Sequence, residues 1–137
     1  MADQRLGHRM QHQLQLGLGL FQPVSQQQRQ VAISACEQCG RSTVPVIHPP
    51  LLLADWLKQA EAELKLVLHP VAEPLVSHDK PSTLAFLIGP EGGLSDAEVE
   101  QAKSAGYHAA RLGPRVLRTE TAPVVALAVA QQLWGDF

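Results

Sequence analysis

Between Phe86 and Ser95 the chain reads Phe-Leu-Ile-Gly-Pro-Glu-Gly-Gly-Leu-Ser, an apolar run that stops at a glycine- and proline-bearing loop and turns at once into a helix start. Ser95 and Glu98 have the spacing of a capping box, in which each side chain satisfies an amide that the first helical turn leaves free. A strand, a glycine loop and a helix in direct succession leave few folds open. The pattern belongs to layered α/β proteins. It also lets bare backbone approach a flat or phosphorylated ligand, because a side chain in the loop would block it. A second loop of this kind follows at Leu112-Gly113-Pro114-Arg115-Val116-Leu117-Arg118-Thr119-Glu120-Thr121-Ala122. Two such loops at the ends of neighbouring strands describe a ligand cleft, whereas one alone reads as ordinary turn glycines.

The remaining pattern alternates helix and strand. Gln26 to Cys39 predicts a helix with Val31, Ala32, Ala35 and Cys36 on one face. Val44 to His48 is a short β-rich run ended by Pro49-Pro50, and Leu52 to Glu63 reads as an amphipathic helix. Leu64 to Leu68 and Thr83 to Ile88 predict strands, the second so uniformly apolar that a central place in the sheet is expected. Val71 to Ser82 between them reads as a proline-punctuated loop. Ser95 to Ala105 predicts a helix stopped by Gly106, and His108 to Leu112 a last short strand. Thr121 to Trp134 is Ala and Val nearly all round, which predicts a deeply buried helix. The expected class is therefore α/β with a mostly parallel sheet. Residues 1–27 are glutamine-rich with a Leu16–Phe21 apolar patch and no sustained period, and are expected to be poorly ordered.

At 137 residues the chain has room for one domain with a real core. Eleven Lys and Arg against thirteen Asp and Glu give a net charge of −2, so there is no overall basic footprint for nucleic acid. Local charge says more: Arg111, Arg115 and Arg118 crowd the second loop. No apolar run is long enough to cross a bilayer and nothing at the start reads as a signal peptide, so the expectation is a cytoplasmic protein without membrane partners.

The two loops resemble the signature of the RsmE family of 16S ribosomal RNA methyltransferases, members of the knotted SPOUT superfamily. Three further segments share the resemblance: Ala35-Cys36-Glu37-Gln38-Cys39-Gly40-Arg41, Leu66-Val67-Leu68-His69-Pro70, and the closing helix after Thr121. It runs from about Gln28 to Phe137, so residues 28–137 correspond to a partial SPOUT methyltransferase domain. By the resemblance, no counterpart of the family's N-terminal RNA-binding barrel and first β-α-β unit is expected in this sequence. The resemblance implies an α/β fold with a trefoil knot, formed where the segment 112–137 passes through a loop. It implies S-adenosylmethionine as cofactor, N3 of a uridine in 16S rRNA as methyl acceptor, the small ribosomal subunit as partner, and a homodimer with its active site between subunits.

Carried over residue by residue, the family's cofactor loops match Leu68, His69, Ile88, Gly89, Gly92, Gly93, Leu112, Gly113, Val116 and Leu117. The apolar members among them could equally be core. His69 reads as a packed loop histidine or, by the Leu-His-Pro match, as a neighbour of the cofactor. Glu91 is either an exposed loop acid or a catalytic contact to cofactor or base. Arg118, a guanidinium just before a buried helix, needs an anionic or carbonyl partner and is the candidate for holding the uracil or its phosphate during catalysis. Arg41 and Arg115 are RNA-binding candidates. Glu120 suits a helix start without catalysis. Cys36 and Cys39 form a lone CxxC at a helix end, where small buried thiols are a better reading than zinc or redox chemistry, and no metal is expected.

Two other readings compete. One is a non-enzymatic remnant that binds cofactor or RNA without turnover. The other is an unknotted α/β nucleotide-binding module, against which stands the lack of a G-x-G-x-x-G fingerprint at the first strand.

Overall fold

Leu64, Leu66 and Leu68 alternate with Lys65 and Val67, and Leu84, Phe86 and Ile88 alternate with Ala85 and Leu87. Apolar side chains on both sides of a strand require cover on both faces of its sheet, the condition of parallel sheets between helices. The computed structural model describes residues 26–137, and there the sheet has that cover. Helices α1 (Gln26–Cys39) and α2 (Leu53–Gln59) precede strand β1 (Leu64–Pro74); β2 (Leu84–Leu87), α3 (Asp96–Ser104), β3 (His108–Arg111) and α4 (Ala122–Trp134) follow. The three strands run parallel in the order β2-β1-β3.

One core lies between the sheet and α4. Leu66, Leu84, Phe86, Ile88 and Ala110 meet Ala122, Ala126, Ala130 and Trp134 there. Those four helix residues recur at every fourth position, so a stripe of alanines lets α4 lie close on the sheet. The other core, on the opposite face, joins Val67 and Leu87 to Trp56, Leu57 and Ala60 at α2, Ala102 of α3 and Tyr107. The expected capping box starts α3: the Ser95 amide donates to Glu98 Oε2 at 2.8 Å and the Glu98 amide to Ser95 Oγ at 3.2 Å.

Several expectations are corrected. The central strand is β1, while the fully buried β2 lies at the edge of the described sheet. Uniform apolarity reported burial on two faces, not position in the ladder. β1 tolerates Lys65 because its Nζ reaches the Ala105 carbonyl at 3.2 Å and sits 5.7 Å from the centre of the Tyr107 ring. β1 also continues to Pro74 instead of stopping at Leu68. Leu68 and Glu73 both oppose Ala110, so residues 69–72 bulge out of the ladder between them.

The run Val44 to His48 forms no strand. Pro45, Pro49 and Pro50 lack the amide a ladder needs. α2 ends at Gln59 because Glu63 is held elsewhere: its carboxylate accepts the Ser82 amide at 2.8 Å and its own amide donates to Thr83 Oγ1 at 2.9 Å, fixing the entry to β1. On α1 only Cys36 is buried, and Val31 of the expected apolar face is 64% exposed. α4 buries one face only, leaving Val124 67% exposed and Leu133 40% exposed. The reading of residues 1–27 falls, except for its last two positions, outside the described residues.

Candidate functional site

All three strands of a parallel sheet end on the same side, and loops leaving those ends frame a crevice. Here they are the bulge after Leu68, the loop after β2 and the loop after β3. Together they line one cleft of about 530 Å³. The two glycine loops do not leave neighbouring strands, as the sequence suggested, because β1 lies between β2 and β3. The cleft therefore spans the end of the central strand.

Every one of the ten residues singled out as cofactor candidates lines this cleft: Leu68 and His69 from the bulge, Ile88, Gly89, Gly92 and Gly93 from the second loop, and Leu112, Gly113, Val116 and Leu117 from the third. Their packing resolves the choice between core and site. Leu68, Leu112 and Leu117 are half-buried against the α4-side core, and Ile88 belongs to that core itself. The cleft floor is thus the upper layer of the core, and these side chains both pack on the core and line the cleft. Val116 differs, with 83% of its surface exposed on the lip.

The first glycine loop is shaped by two separate constraints. At Gly89 a Cβ would stand 2.8 Å from the Leu94 amide nitrogen, so the chain folds back on itself with no room for a side chain. Gly93 has φ +83°, a left-handed conformation that other residues rarely adopt, and its amide closes the turn onto the Pro90 carbonyl at 2.8 Å. A Cβ at Gly92 or Gly93 would meet nothing within 4 Å, so that stretch of backbone is open toward whatever enters the cleft.

Polar and charged groups surround the apolar floor. His69 is half-buried, with Nδ1 accepting the Val71 amide at 3.3 Å. Glu91, Arg115 and Arg118 line the cleft as well, and all three are exposed. The anionic partner expected for Arg118 is Glu120, 4.0 Å away, with the two side chains 85% and 73% exposed. An ion pair so wet contributes little to stability and leaves the guanidinium available to another anion. Arg41 is not brought to the cleft: its amide donates to the Cys36 carbonyl at 2.9 Å, closing the end of α1. Cys36 is buried, its thiol 3.7 Å from the Thr43 carbonyl oxygen, but Cys39 is exposed, so only one of the pair is the expected buried thiol. Among the described residues no group of His, Cys, Asp or Glu could hold a metal ion.

Residues missed as site candidates also line the cleft: Pro70, Pro90, Leu94, Ala110, Arg111, Thr119 and Ala122. Most lie inside or beside the motif segments, and the three-arginine crowd was a signal for Arg111. Thr119 could have been found as one of the two hydroxyls, with Thr121, that this loop carries beside its charged residues Arg115, Arg118 and Glu120. Its Oγ1 lies 3.5 Å from the Gly89 carbonyl oxygen.

Known proteins resemble this chain in sequence and in fold. The sequence pattern of the RNA methyltransferase domain family matches residues 12–131. Ribosomal RNA small subunit methyltransferase E of Buchnera aphidicola is 39% identical over 109 residues, 77% of this chain and 44% of the relative. The enzyme of that name from Mycobacterium tuberculosis is 36% identical over 107 residues, 72% of this chain and 41% of the relative. Among solved structures, a Ribosomal RNA small subunit methyltransferase E from Neisseria gonorrhoeae bound to S-adenosyl methionine superimposes with a TM-score of 0.78 at 44% identity, covering 81% of this chain and 48% of that one. A putative methyltransferase from Legionella pneumophila in complex with S-adenosylmethionine gives the same TM-score at 42% identity, covering 81% and 47%. The chain spans less than half the length of these relatives. Backbone and sequence agree over most of the chain, and the chain belongs to the RNA methyltransferase domain family.

Proposed function

We propose that this chain is the catalytic-domain portion of an rRNA methyltransferase that uses S-adenosylmethionine to methylate N3 of a uridine in 16S rRNA. The observation that carries this reading is the cleft that three loops build together at the strand ends, whose volume is in the range of small-molecule sites. Its donor set fits the cofactor. Open backbone at Gly92 and Gly93 suits a ribose or amino-acid tail, and Leu68, Ile88, Leu112 and Leu117 offer an apolar seat for an adenine. Bound there, the cofactor would supply an electrophilic methyl group on a sulfonium.

The chain's own residues then handle the acceptor. Methylation at uracil N3 requires loss of the N3 proton, which leaves negative charge on the two ring carbonyls. Arg118, exposed at the cleft wall and only loosely held by Glu120, is placed to donate to a carbonyl or to the neighbouring phosphate. Glu91 is the one carboxylate lining the cleft among the described residues, a contact for the cofactor or the target base and the candidate acceptor for that proton. Arg115 contacts the RNA beside the target, and Arg41 contacts it away from the cleft.

The protein works as a homodimer on the small ribosomal subunit in the cytoplasm, with the segment 112–137 threaded as a trefoil knot. The exposed apolar side chains of α4, Val124 above all, support a second copy as their cover. No helix among the described residues is long and apolar enough to cross a membrane. Calorimetric titration with S-adenosylmethionine, S-adenosylhomocysteine, NAD and ATP, paired with transfer of labelled methyl to small-subunit rRNA, tests the reading. Binding of both sulfur ligands with methyl transfer supports it. Binding without transfer, under conditions where a full-length relative works, replaces it with the non-enzymatic binder. Tight NAD or ATP binding alone removes it.

A further inference from the structure

The walls of the cleft come from strands that do not touch. β2 and β3 lie on opposite sides of β1, about two strand spacings or ~10 Å apart, so no ladder hydrogen bond fixes one loop against the other. A side-chain contact links the two loops: Thr119 Oγ1 lies 3.5 Å from the Gly89 carbonyl oxygen, a long hydrogen-bond distance, across thirty positions of sequence.

The chemistry of both ends makes this contact more than incidental. The Gly89 carbonyl belongs to the peptide that precedes Pro90, which has no N–H. That peptide unit can therefore be oriented only through its carbonyl. Gly89 is also pinned from the other side, since the returning chain at Leu94 leaves no space for a Cβ. Thr119 in turn sits in the turn that launches α4, where the amides of Thr121 and Ala122 donate to the Arg118 carbonyl at 3.0 and 2.9 Å. Ala122, the first residue of α4, is 7% exposed and belongs to the core as well as to the cleft lining. A chain of contacts thus runs from the buried face of α4 through Thr119 to the first glycine loop.

We propose that Thr119 is a positioning residue: its hydroxyl holds the Gly89–Pro90 peptide and so sets the width of the cleft between the two cofactor loops. This deepens the cofactor reading of the cleft and rests on it. The hydroxyl needs to be a donor at this position, and the methyl of threonine restricts its rotamer so that the donor is already aimed. With the tie in place, a ligand that bridges the loops meets walls already set at their distance, which lowers the ordering cost of binding. Without it the loops bind the same groups but must first be brought into register.

The test compares Thr119→Val, which keeps shape and removes the donor, with Thr119→Ser, which keeps the donor. Two measurements are made: S-adenosylhomocysteine affinity by calorimetry, and hydrogen exchange of the 113–119 amides in ligand-free protein. The expected result is that Thr119→Val weakens ligand affinity about fivefold to tenfold, as for loss of one hydrogen bond, and speeds exchange in the loop. Thr119→Ser restores both to within about twofold. Affinity unchanged in Thr119→Val overturns the proposal. Equal loss in both variants also overturns it, because keeping the donor in Thr119→Ser would then preserve nothing. If the unmutated chain ignores both sulfur ligands, the cofactor reading is what fails. The exchange data then decide the tie alone: protection lost in Val and kept in Ser supports it, and identical exchange in all three proteins removes it.

Discussion

A side chain on Gly89 would press its Cβ to 2.8 Å from the amide nitrogen of Leu94, five residues further along the same loop. The obstacle is backbone on both sides, so neither end can swing away. Gly93, only four positions on, is constrained by its φ of +83° and not by space. Two glycines that look equivalent in the sequence are thus required for different reasons.

Gly89→Ala should therefore force the loop open at its base, costing about 1–3 kcal/mol as an overpacking change, and should weaken binding of S-adenosylhomocysteine tenfold or more. Gly93→Ala should cost about 1–2 kcal/mol through its backbone conformation and leave the base of the loop in place. Denaturant unfolding and calorimetry of both variants check this. Equal ligand affinity in Gly89→Ala and the parent would show that the fold-back does not shape the site.

Tyr107 carries a buried phenol whose oxygen finds no hydrogen-bond partner among the described residues, and burial pushes its pKa up from 10.0 to about 12. The unfolded chain ionises this group near 10 and the folded chain near 12, so the stability tied to its proton is intact below 10 and falls as pH rises from 10 to about 12. Tyr107→Phe removes both the ionisation and the unpaired hydroxyl. It should be neutral or stabilising by about 1 kcal/mol near neutrality, and should flatten the alkaline decline. Unfolding curves across the alkaline range, with tyrosinate absorbance as the direct readout, measure both effects.

At the acid end the relevant group is Glu63, whose carboxylate is held below its usual 4.5 first by the backbone amide of Ser82 and then by the Ser82 side chain. Its folded pKa is depressed, so its contribution is present above the unfolded value and is lost as pH falls through the folded one. The group is exposed and the effect is small. Glu63→Gln should lose less stability than the parent on acidification from neutrality to about pH 3, measured by chemical denaturation at both conditions. Identical acid sensitivity in the two proteins would remove Glu63 from the account.

Much of the fold was legible because its signals are local. The capping box at Ser95 and Glu98, the helix after Thr121 and the glycine loops each declare themselves within a few residues, and the ten cofactor candidates converge because the loops that carry them were read correctly. What escaped was pairing. Nothing in Leu84-Ala85-Phe86-Leu87 says which strand will be its neighbour, so the central place went to β2 when β1 holds it. Lys65 argued against a central strand until the fold supplied the Ala105 carbonyl and the Tyr107 ring. Thr119 escaped for the same reason, since its partner Gly89 is thirty residues away. Arg41 was read from the motif around Cys36, and that motif closes the end of α1 without lining the cleft.

The exposed side of α4 also carries a prediction. Val124 is 67% exposed on a helix whose opposite face is already filled by the sheet. If a second copy covers it, Val124→Glu should shift the protein toward monomer, raising the dimer dissociation constant by about tenfold or more for one charge placed in an apolar interface. Sedimentation over a concentration series measures this. A parent chain that stays monomeric throughout, or a variant with the same association as the parent, would exclude this face as the interface.

Arg118 offers the sharpest separation of chemistry from binding. Its side chain is 85% exposed and its ion pair with Glu120 is long, so replacing it should leave the fold and the cofactor loops undisturbed. Were its role to hold the uracil oxygens or the adjacent phosphate as charge develops, Arg118→Ala would lower the rate of methyl transfer about a hundredfold or more while changing S-adenosylhomocysteine affinity by less than about threefold. Arg118→Lys would recover only part of the loss, because a single ammonium cannot reproduce the planar two-donor contact. Glu120→Ala serves as the control, since it frees the guanidinium without removing it and should leave transfer at or above the parent rate. Parallel losses of affinity and rate in Arg118→Ala would instead assign the residue to the cofactor side of the cleft. Loss of rate in Glu120→Ala equal to that in Arg118→Ala would show that the pair acts as a unit, with Glu120 orienting the guanidinium across the 4.0 Å that separates them.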